Sequence, residues 1–178
     1  MDDLVSRIRQ AFSTRPHPGA DNIARCGYDK KNGGTYDGPC WECQDMTDYF
    51  GHRSWPEVPA RELRRHGSAD AQFEVDAYCY FLPGFLVAAI NSPAELDVCV
   101  NHIVYRFGPK PDDDWGQNRL AAVTSNLSGV ELQALLDYLR YTRAREHDFD
   151  GYCTRAIQNI ERVLAARSNS SSSGREEA

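Results

Sequence analysis

The sequence predicts an all-α protein, a single domain built as an irregular bundle of about six to eight helices. Three observations support this fold class. Apolar residues recur every three to four positions along most of residues 1–166, whereas the alternation typical of strands is nearly absent. Two segments carry the Ser-x-x-Glu pattern of a helix capping box. The length of 178 residues suits one domain and is short for two.

The N-terminal part is predicted to hold short helices around one irregular loop. Apolar residues within 4–12 line one face of an opening helix, and acidic residues stand near its N-terminus. Residues 27–38 are rich in Gly, Lys and Asn, which favours a loop. A short helix is predicted for residues 40–51, and another begins with a proline at its first turn and covers residues 59–67.

Residues 73–91 are the apolar centre of the chain. Pro83 lacks a backbone N–H donor and disfavours helix at Leu82, so we expect a break or a sharp kink there. Residues 92–95 then form a capping box with proline at the first helical position. Apolar residues continue at helical spacing to Phe107, which predicts one helix over this stretch.

Two further helices are predicted before a polar tail. Residues 128–131 form the second capping box, and leucines at helical spacing follow as far as Leu139. The last helix is expected to begin near Asp150. Residues 167–178 are Ser-rich and have almost nothing apolar to bury, which predicts a disordered tail after a helical domain of residues 1–166.

Composition and charge restrict the class of partner. Apolar residues make up 41% and the formal net charge is −6, so the overall field would repel nucleic acid and anionic lipid. The longest apolar stretch, residues 77–90, is too short to span a bilayer. Residues 1–5 lack the basic start and apolar core of a signal peptide. We therefore expect a cytoplasmic protein without nucleic-acid or membrane partners.

The six cysteines are expected to be reduced or to bind metal in that compartment. Cys79 and Cys99 lie inside apolar runs and are predicted to be core residues. Cys40 and Cys43 form a Cys-x-x-Cys pair, the sharpest chemical feature of the sequence. Structural zinc needs four ligands, and the set within sequence reach is Cys26, Cys40, Cys43 and His52, so zinc is the one cofactor that the sequence suggests.

Two other interpretations of the Cys40–Cys43 pair compete with zinc. A dithiol at a helix N-terminus could be redox-active, but thioredoxin-like chemistry normally accompanies a βαβ pattern, which the sequence lacks. Glu42 between the thiols would also disfavour a thiolate. The interpretation we favour places both small side chains on the inner face of a short helix beside Phe50.

Three segments resemble a bacterial family known only as a domain of unknown function. The first is the Cys-Trp-Glu-Cys motif at residues 40–43 with the glycine and tryptophan of residues 51–55. The second is the Phe-Leu-Pro apolar block within residues 78–90, and the third is the leucine-rich helix of residues 126–139. The resemblance implies a small helical bacterial protein; it brings no established activity and no catalytic residues.

A second candidate site is the acidic stretch of Asp112, Asp113 and Asp114 followed by Trp115. Carboxylates beside an aromatic residue could contact a basic protein, because complementary charge speeds and orients association. The alternative, which we favour for the sequence alone, is a solvated turn whose acids precede a helix N-terminus. The basic cluster of residues 61–66 is likewise interpreted as positive charge near a helix C-terminus.

The leading hypothesis is a non-catalytic module that binds another protein, in a specific form an immunity-type inhibitor of a toxin. It depends on small size, net acidity and helical character. No catalytic residue is assigned, because phosphate loops, nucleophile elbows and His-Glu-x-x-His spacings are absent from the sequence. One alternative is a small zinc-binding structural or regulatory protein. A third is a small-molecule enzyme built around residues 78–85.

Overall fold

The computed structural model describes residues 2–25, 40–66, 72–145 and 151–173. Within these ranges the predicted all-α fold is confirmed, and the one β pairing is an isolated bridge between Ala24 and Phe73. The α-helices are α1 Asp2–Ala11, α2 Trp41–Phe50, α3 Ala60–Arg65, α4 Val75–Asn91, α5 Pro93–Leu96, α6 Cys99–Phe107, α7 Asp114–Asn126, α8 Gly129–Arg143 and α9 Tyr152–Ser173. Short 3-10 helices occupy Ala20–Asn22 and Trp55–Glu57.

Several predicted features lie outside the described residues. They are Cys26, the loop of residues 27–38 and the last five residues of the predicted tail, 174–178. Helix α9 continues past residue 167, where the tail was expected to begin, and ends at Ser173. Disorder of the tail beyond that point stays a prediction. In the described part of the chain, none of the helices has the length and apolar character needed to cross a membrane.

The chain divides into two compact units. Unit 1 consists of residues 1–11 and 101–178, and unit 2 consists of residues 12–100. In unit 1, α8 packs against both α1 and α9. Its inner face is fully buried at Leu132, Leu135 and Leu139, the leucines that the helical spacing predicted.

The capping box that begins α8 forms as predicted. The Ser128 hydroxyl accepts a hydrogen bond from the Glu131 backbone N–H at 3.3 Å. The Glu131 carboxylate in turn accepts one from the Ser128 N–H at 2.7 Å. These two bonds satisfy donors that the first helical turn would otherwise leave without partners.

Helix α9 holds unit 1 together by binding backbone carbonyls at the ends of other segments. Asn159 donates to the Phe107 carbonyl at 3.0 Å, at the end of α6. Arg167 donates to the carbonyls of Thr124 and Leu127 at 2.6 and 2.7 Å, at the end of α7. Because the last carbonyls of a helix have no partner inside that helix, these side chains cap both α6 and α7.

In unit 2, α4 is the central element and corrects one expectation. The helix runs without a break through Pro83 for 17 residues, so the predicted break at Leu82 is wrong, and a kink there stays a prediction. A proline inside a helix costs about 3 kcal/mol. Phe81, Leu82 and Leu86 are each fully buried, and burial of each such side chain contributes about 1.5–3 kcal/mol. Burial on both sides of the proline therefore outweighs the lost hydrogen bond.

The helix predicted from residue 92 to Phe107 is divided in two. Asp97 has a φ of 52°, a left-handed conformation that ends α5 before α6 begins at Cys99. The Ser92 side chain makes no capping hydrogen bond, although Pro93 occupies the first turn as predicted. This division is the reason that the described residues contain nine α-helices, one more than the predicted range.

An aromatic cluster joins the other elements of unit 2 to α4. Phe50, at the end of α2, is fully buried. Its ring lies 4.9 Å from that of Phe81, 5.1 Å from that of Phe73 and 5.2 Å from that of His66, in edge-to-face geometry each time. Edge-to-face pairs at these distances are favourable beyond the area that they bury. Phe50 thus packs the end of α2, the end of α3 and the bridge residue Phe73 against α4.

Among the described glycines of unit 1, Gly108 has the least space for a Cβ atom. Replacing it therefore tests the packing of this unit. A Cβ on Gly108 would lie 2.2 Å from the Tyr152 carbonyl oxygen, a backbone atom that cannot move aside. We predict that Gly108→Ala lowers the free energy of unfolding by about 1–3 kcal/mol in urea denaturation, as overpacked sites do.

Gly129→Ala is the matched control for that measurement, because nothing lies within 4 Å of a Cβ at Gly129. Its stability should equal or slightly exceed that of the unmodified protein. Equal stability of the two variants would show that α9 does not approach Gly108 as the structure has it.

Candidate functional site

The structure separates the residues of the predicted zinc site. Cys40 precedes α2, Cys43 is buried in its first turn, and His52 is exposed just beyond its C-terminal end. The ten residues of α2 span about 15 Å. Zinc ligands lie about 2.0–2.3 Å from the metal, so His52 cannot bind the same ion as the two thiols.

The two thiols differ in their surroundings. Cys43 is buried on the same helical face as Met46 and Phe50, the arrangement that the favoured sequence interpretation places there. Cys40 is half-buried at the N-terminal end of the helix. No group of three or more potential metal ligands occurs among the described residues, which exclude Cys26. Zinc binding itself stays a prediction.

The acidic candidate site lies at the start of α7, in unit 1. Asp113 does what the alternative interpretation predicted, since its carboxylate accepts a hydrogen bond from the Gly116 N–H at 2.9 Å and caps the helix. Asp112 and Asp114 are exposed and take part in none of the ion pairs between described residues. Trp115 is 62% exposed. We call Asp112, Asp114 and Trp115 the Trp115 surface.

The backbone under the Trp115 surface is held in one conformation. Gln117 donates hydrogen bonds to the carbonyls of Pro109 and Lys110, at 3.4 and 3.0 Å. The guanidinium carbon of Arg106, a buried residue, lies 5.6 Å from the centre of the Trp115 ring. This cation–π contact holds one face of the indole while most of its surface remains in solvent.

Three residues of the basic cluster, Arg64, Arg65 and His66, lie at the C-terminal end of α3 as predicted, whereas Arg61 lies in its first turn. Arg64 pairs with Asp97 at 2.8 Å, and Arg65 pairs with Asp45 at 3.3 Å. His66 differs from its neighbours because only 5% of its surface is exposed. Its ring stacks on Tyr49 at 5.4 Å and meets Phe50 edge-on, so its orientation is fixed on two sides.

His66 lies in the wall of a pocket of about 310 Å³ in unit 2. We call it the His66 pocket, and its lining residues are Trp41, Glu42, Asp45 and Met46 from α2, Arg65 and His66 from the end of α3, and Gln72. The four residues from α2 share one face because Trp41 and Asp45 are one turn apart, as are Glu42 and Met46. The Arg25 N–H donates to the Gln72 carbonyl at 2.9 Å, which fixes Gln72 beside the bridge between Ala24 and Phe73.

Two buried polar atoms on residues that line the pocket have no hydrogen-bond partner among the described residues: Nε2 of His66 and Oε1 of Gln72, each almost entirely closed to water. Each unsatisfied buried atom costs roughly 1–3 kcal/mol. Gln72 Nε2 donates to the Glu42 carboxylate at 2.8 Å, and a carboxylate can only accept, so the amide orientation is fixed. The remaining atom, Oε1, is therefore an acceptor without a donor.

The second atom is also an acceptor when His66 is neutral. Burial lowers the pKa of His66 below its usual value near 6.5, and the nearby Asp45 carboxylate opposes this only in part. The Asp45 carboxylate lies 3.9 Å from Nδ1 of His66. A proton on Nδ1 is favoured facing that charge, which leaves Nε2 as a lone-pair acceptor.

The aromatic block proposed for a small-molecule enzyme lies within α4. Every residue from Tyr78 to Phe85 is buried within α4, so the block belongs to the core. A larger groove of about 740 Å³ lies between α7 and α9 in unit 1. Its main cations are already bound within the chain, because Arg162 donates to Asn159 at 3.2 Å and Arg167 caps α7.

Sequence reasoning missed the His66 pocket. Trp41 and Asp45 stand one helical turn apart, which places them on one face, but the same spacing occurs on any solvated helix. The sequence groups His66 with the arginines before it, as a charge at the end of a helix. Gln72 carries no signal, since its position depends on the pairing of two segments that are distant in sequence.

Comparison of the chain with family models, with curated proteins and with solved structures found no match. The resemblance to a bacterial domain of unknown function therefore stays a prediction.

The buried state of His66 predicts how stability depends on pH. Between pH 7.5 and 5.5 the unfolded chain takes up a proton at this histidine, whereas the folded chain, with its lowered pKa, resists it. The free energy of unfolding should therefore fall as the pH drops below about 6.5. We predict that His66→Phe, which keeps an aromatic ring against Tyr49 and Phe50, loses less stability over this interval than the unmodified protein.

His52→Gln is the control for this experiment, since His52 is exposed. It should keep the pH dependence of the unmodified protein in urea denaturation at the two pH values. The same pH dependence in His66→Phe as in His52→Gln would contradict the assignment.

Proposed function

We propose that the protein is a non-catalytic module that binds a basic partner protein through the Trp115 surface. The observation that carries the proposal is Trp115 itself, a tryptophan 62% exposed that follows two exposed carboxylates in the chain, Asp112 and Asp114, neither of which pairs with a cation of the described residues. Tryptophan is enriched among the residues that dominate binding energy in interfaces. Exposed carboxylates around it would steer a basic surface toward it.

The rigidity of the surface supports the same proposal. Binding costs free energy whenever side chains and loops must be ordered in the complex. Here the hydrogen bonds of Gln117, the helix cap at Asp113 and the contact of Arg106 order the Trp115 surface in advance. A partner would therefore meet a preformed aromatic anchor.

A toxin is the specific partner class that we propose, with the protein acting as its immunity-type inhibitor in a bacterial cytoplasm. The net charge of −6 and the small size support this by analogy with small acidic bacterial inhibitors. An inhibitor of this kind would mask a basic active or binding surface of the toxin. The toxin's activity should then be absent in the complex and return when the complex is dissociated by salt.

Capture of a partner from extract of the source cell tests the proposal. We expect the unmodified protein to retain a stoichiometric basic protein at low salt and to release it as salt rises, because salt screens exposed charges. Trp115→Ser should weaken capture by about tenfold or more, as loss of a central interface anchor does. Asp112→Asn combined with Asp114→Asn should reduce both the association rate and its salt dependence.

Val130→Ser is the matched control, because Val130 is another apolar side chain of unit 1 that is 65% exposed. It should capture the partner as the unmodified protein does. Failure to retain any stoichiometric protein at low salt, or equal capture by Trp115→Ser, would refute binding through this surface.

A further inference from the structure

We propose that the His66 pocket binds a small organic cation with planar N–H donors, of the guanidinium or amidinium class. This site lies in unit 2 and goes beyond the protein-binding proposal, which concerns residues of unit 1. Hydrogen bonding, charge, stacking and size each support this class of ligand.

The hydrogen-bonding groups of the pocket require a donor. Gln72 Oε1 can only accept, because its amide nitrogen is committed to Glu42. Nε2 of neutral His66 also accepts when the proton on the ring faces Asp45. Both atoms are closed to water before binding, so side chains of the wall must shift for a ligand's N–H groups to reach them, and an anion or an ether would leave them without partners.

The charge of the pocket favours a cation. Glu42 and Asp45 contribute two carboxylates, and Arg65, paired with Asp45 at 3.3 Å, contributes the one compensating guanidinium. With His66 neutral, the pocket therefore carries an excess of one negative charge. Partial enclosure strengthens the attraction for a cation relative to the same charges in bulk water.

Trp41 favours a flat cation over a tetrahedral ammonium. Its side chain lines the pocket and is 74% exposed, so one face of the indole is available to a ligand. Guanidinium and amidinium groups stack on an indole through their planar faces while their N–H groups point outward along the edge. The volume of about 310 Å³ lies at the small end of the range for ligand pockets, which suits a ligand of this size.

Titration with benzamidine tests the proposal directly, and benzoate is its control. The two molecules share the phenyl ring, but benzoate carries an acceptor-only anion in place of the donor cation. We expect benzamidine to bind at least about tenfold more tightly than benzoate by calorimetry. In the unmodified protein, benzamidine should also shift the nitrogen resonances of the His66 ring, whereas benzoate should not.

Variants assign the binding to this pocket. Gln72→Met preserves side-chain length and removes the acceptor, and Trp41→Ala removes the stacking face from an exposed position. Each should weaken benzamidine binding by about fivefold or more. Val130→Ser, an exposed position in the other unit, should leave it unchanged.

Equal affinity for benzamidine and benzoate, or no measurable binding of either, would overturn the proposal and indicate a pocket filled by solvent only. Benzamidine affinity that survives both Gln72→Met and Trp41→Ala would overturn it as well. Because the resonance shifts are measured on the unmodified protein, the test does not depend on the variants folding.

A second arm distinguishes two sources of the same chemistry. Methylguanidinium represents a free small cation, and a Gly-Arg-Gly peptide blocked at both ends represents an arginine side chain of a polypeptide. Tighter binding of the peptide would identify an arginine as the occupant, and equal or weaker binding would identify a free cation. Absence of binding by both, with benzamidine also unbound, contradicts the proposal.

Discussion

The packing of Phe50 is the contact on which unit 2 depends. This one ring touches Phe81 on α4, Phe73 beside the bridge to Ala24, and His66 at the end of α3. Four successive segments of the chain, which contain Phe50, His66, Phe73 and Phe81, are therefore held by one buried aromatic side chain. The same contact holds the His66 ring in place. His66 therefore belongs both to the core of unit 2 and to the wall of the His66 pocket.

This arrangement explains why the His66 pocket retains polar atoms without partners. The edge-to-face contact with Phe50 and the stacking on Tyr49 hold the plane of the His66 ring, and in this plane Nε2 meets no partner among the described residues. Gln72 is held in a similar way, through its own backbone and through Glu42. The two buried acceptors, Nε2 of His66 and Oε1 of Gln72, are held where they meet no donor of the described chain. Buried acceptors of this kind are typical of a binding site, where a ligand supplies the donors.

The sequence predicts the fold better than it predicts the sites, for physical reasons. Helical spacing and the capping box at Ser128 depend on neighbours three or four residues apart, which one sequence contains. The failure at Pro83 has a different cause, because burial along the whole of α4 outweighs the local preference of the proline. The pocket depends on the meeting of α2, the end of α3 and Gln72, and no local pattern reports how these segments are brought together. The acidic stretch before α7 was recognised because its residues are consecutive, although only the structure shows that Asp113 caps a helix while Trp115 is exposed.

The most direct test of this account is the protonation state of His66 at pH 7.5. A long-range proton–nitrogen correlation spectrum of the unmodified, nitrogen-labelled protein reports which ring nitrogen carries the proton. We expect a neutral ring with the proton on Nδ1, toward Asp45, and a bare Nε2 in the wall of the pocket. A proton on Nε2, or a doubly protonated ring, would contradict it, because the pocket would then offer a donor where the proposed ligand needs an acceptor.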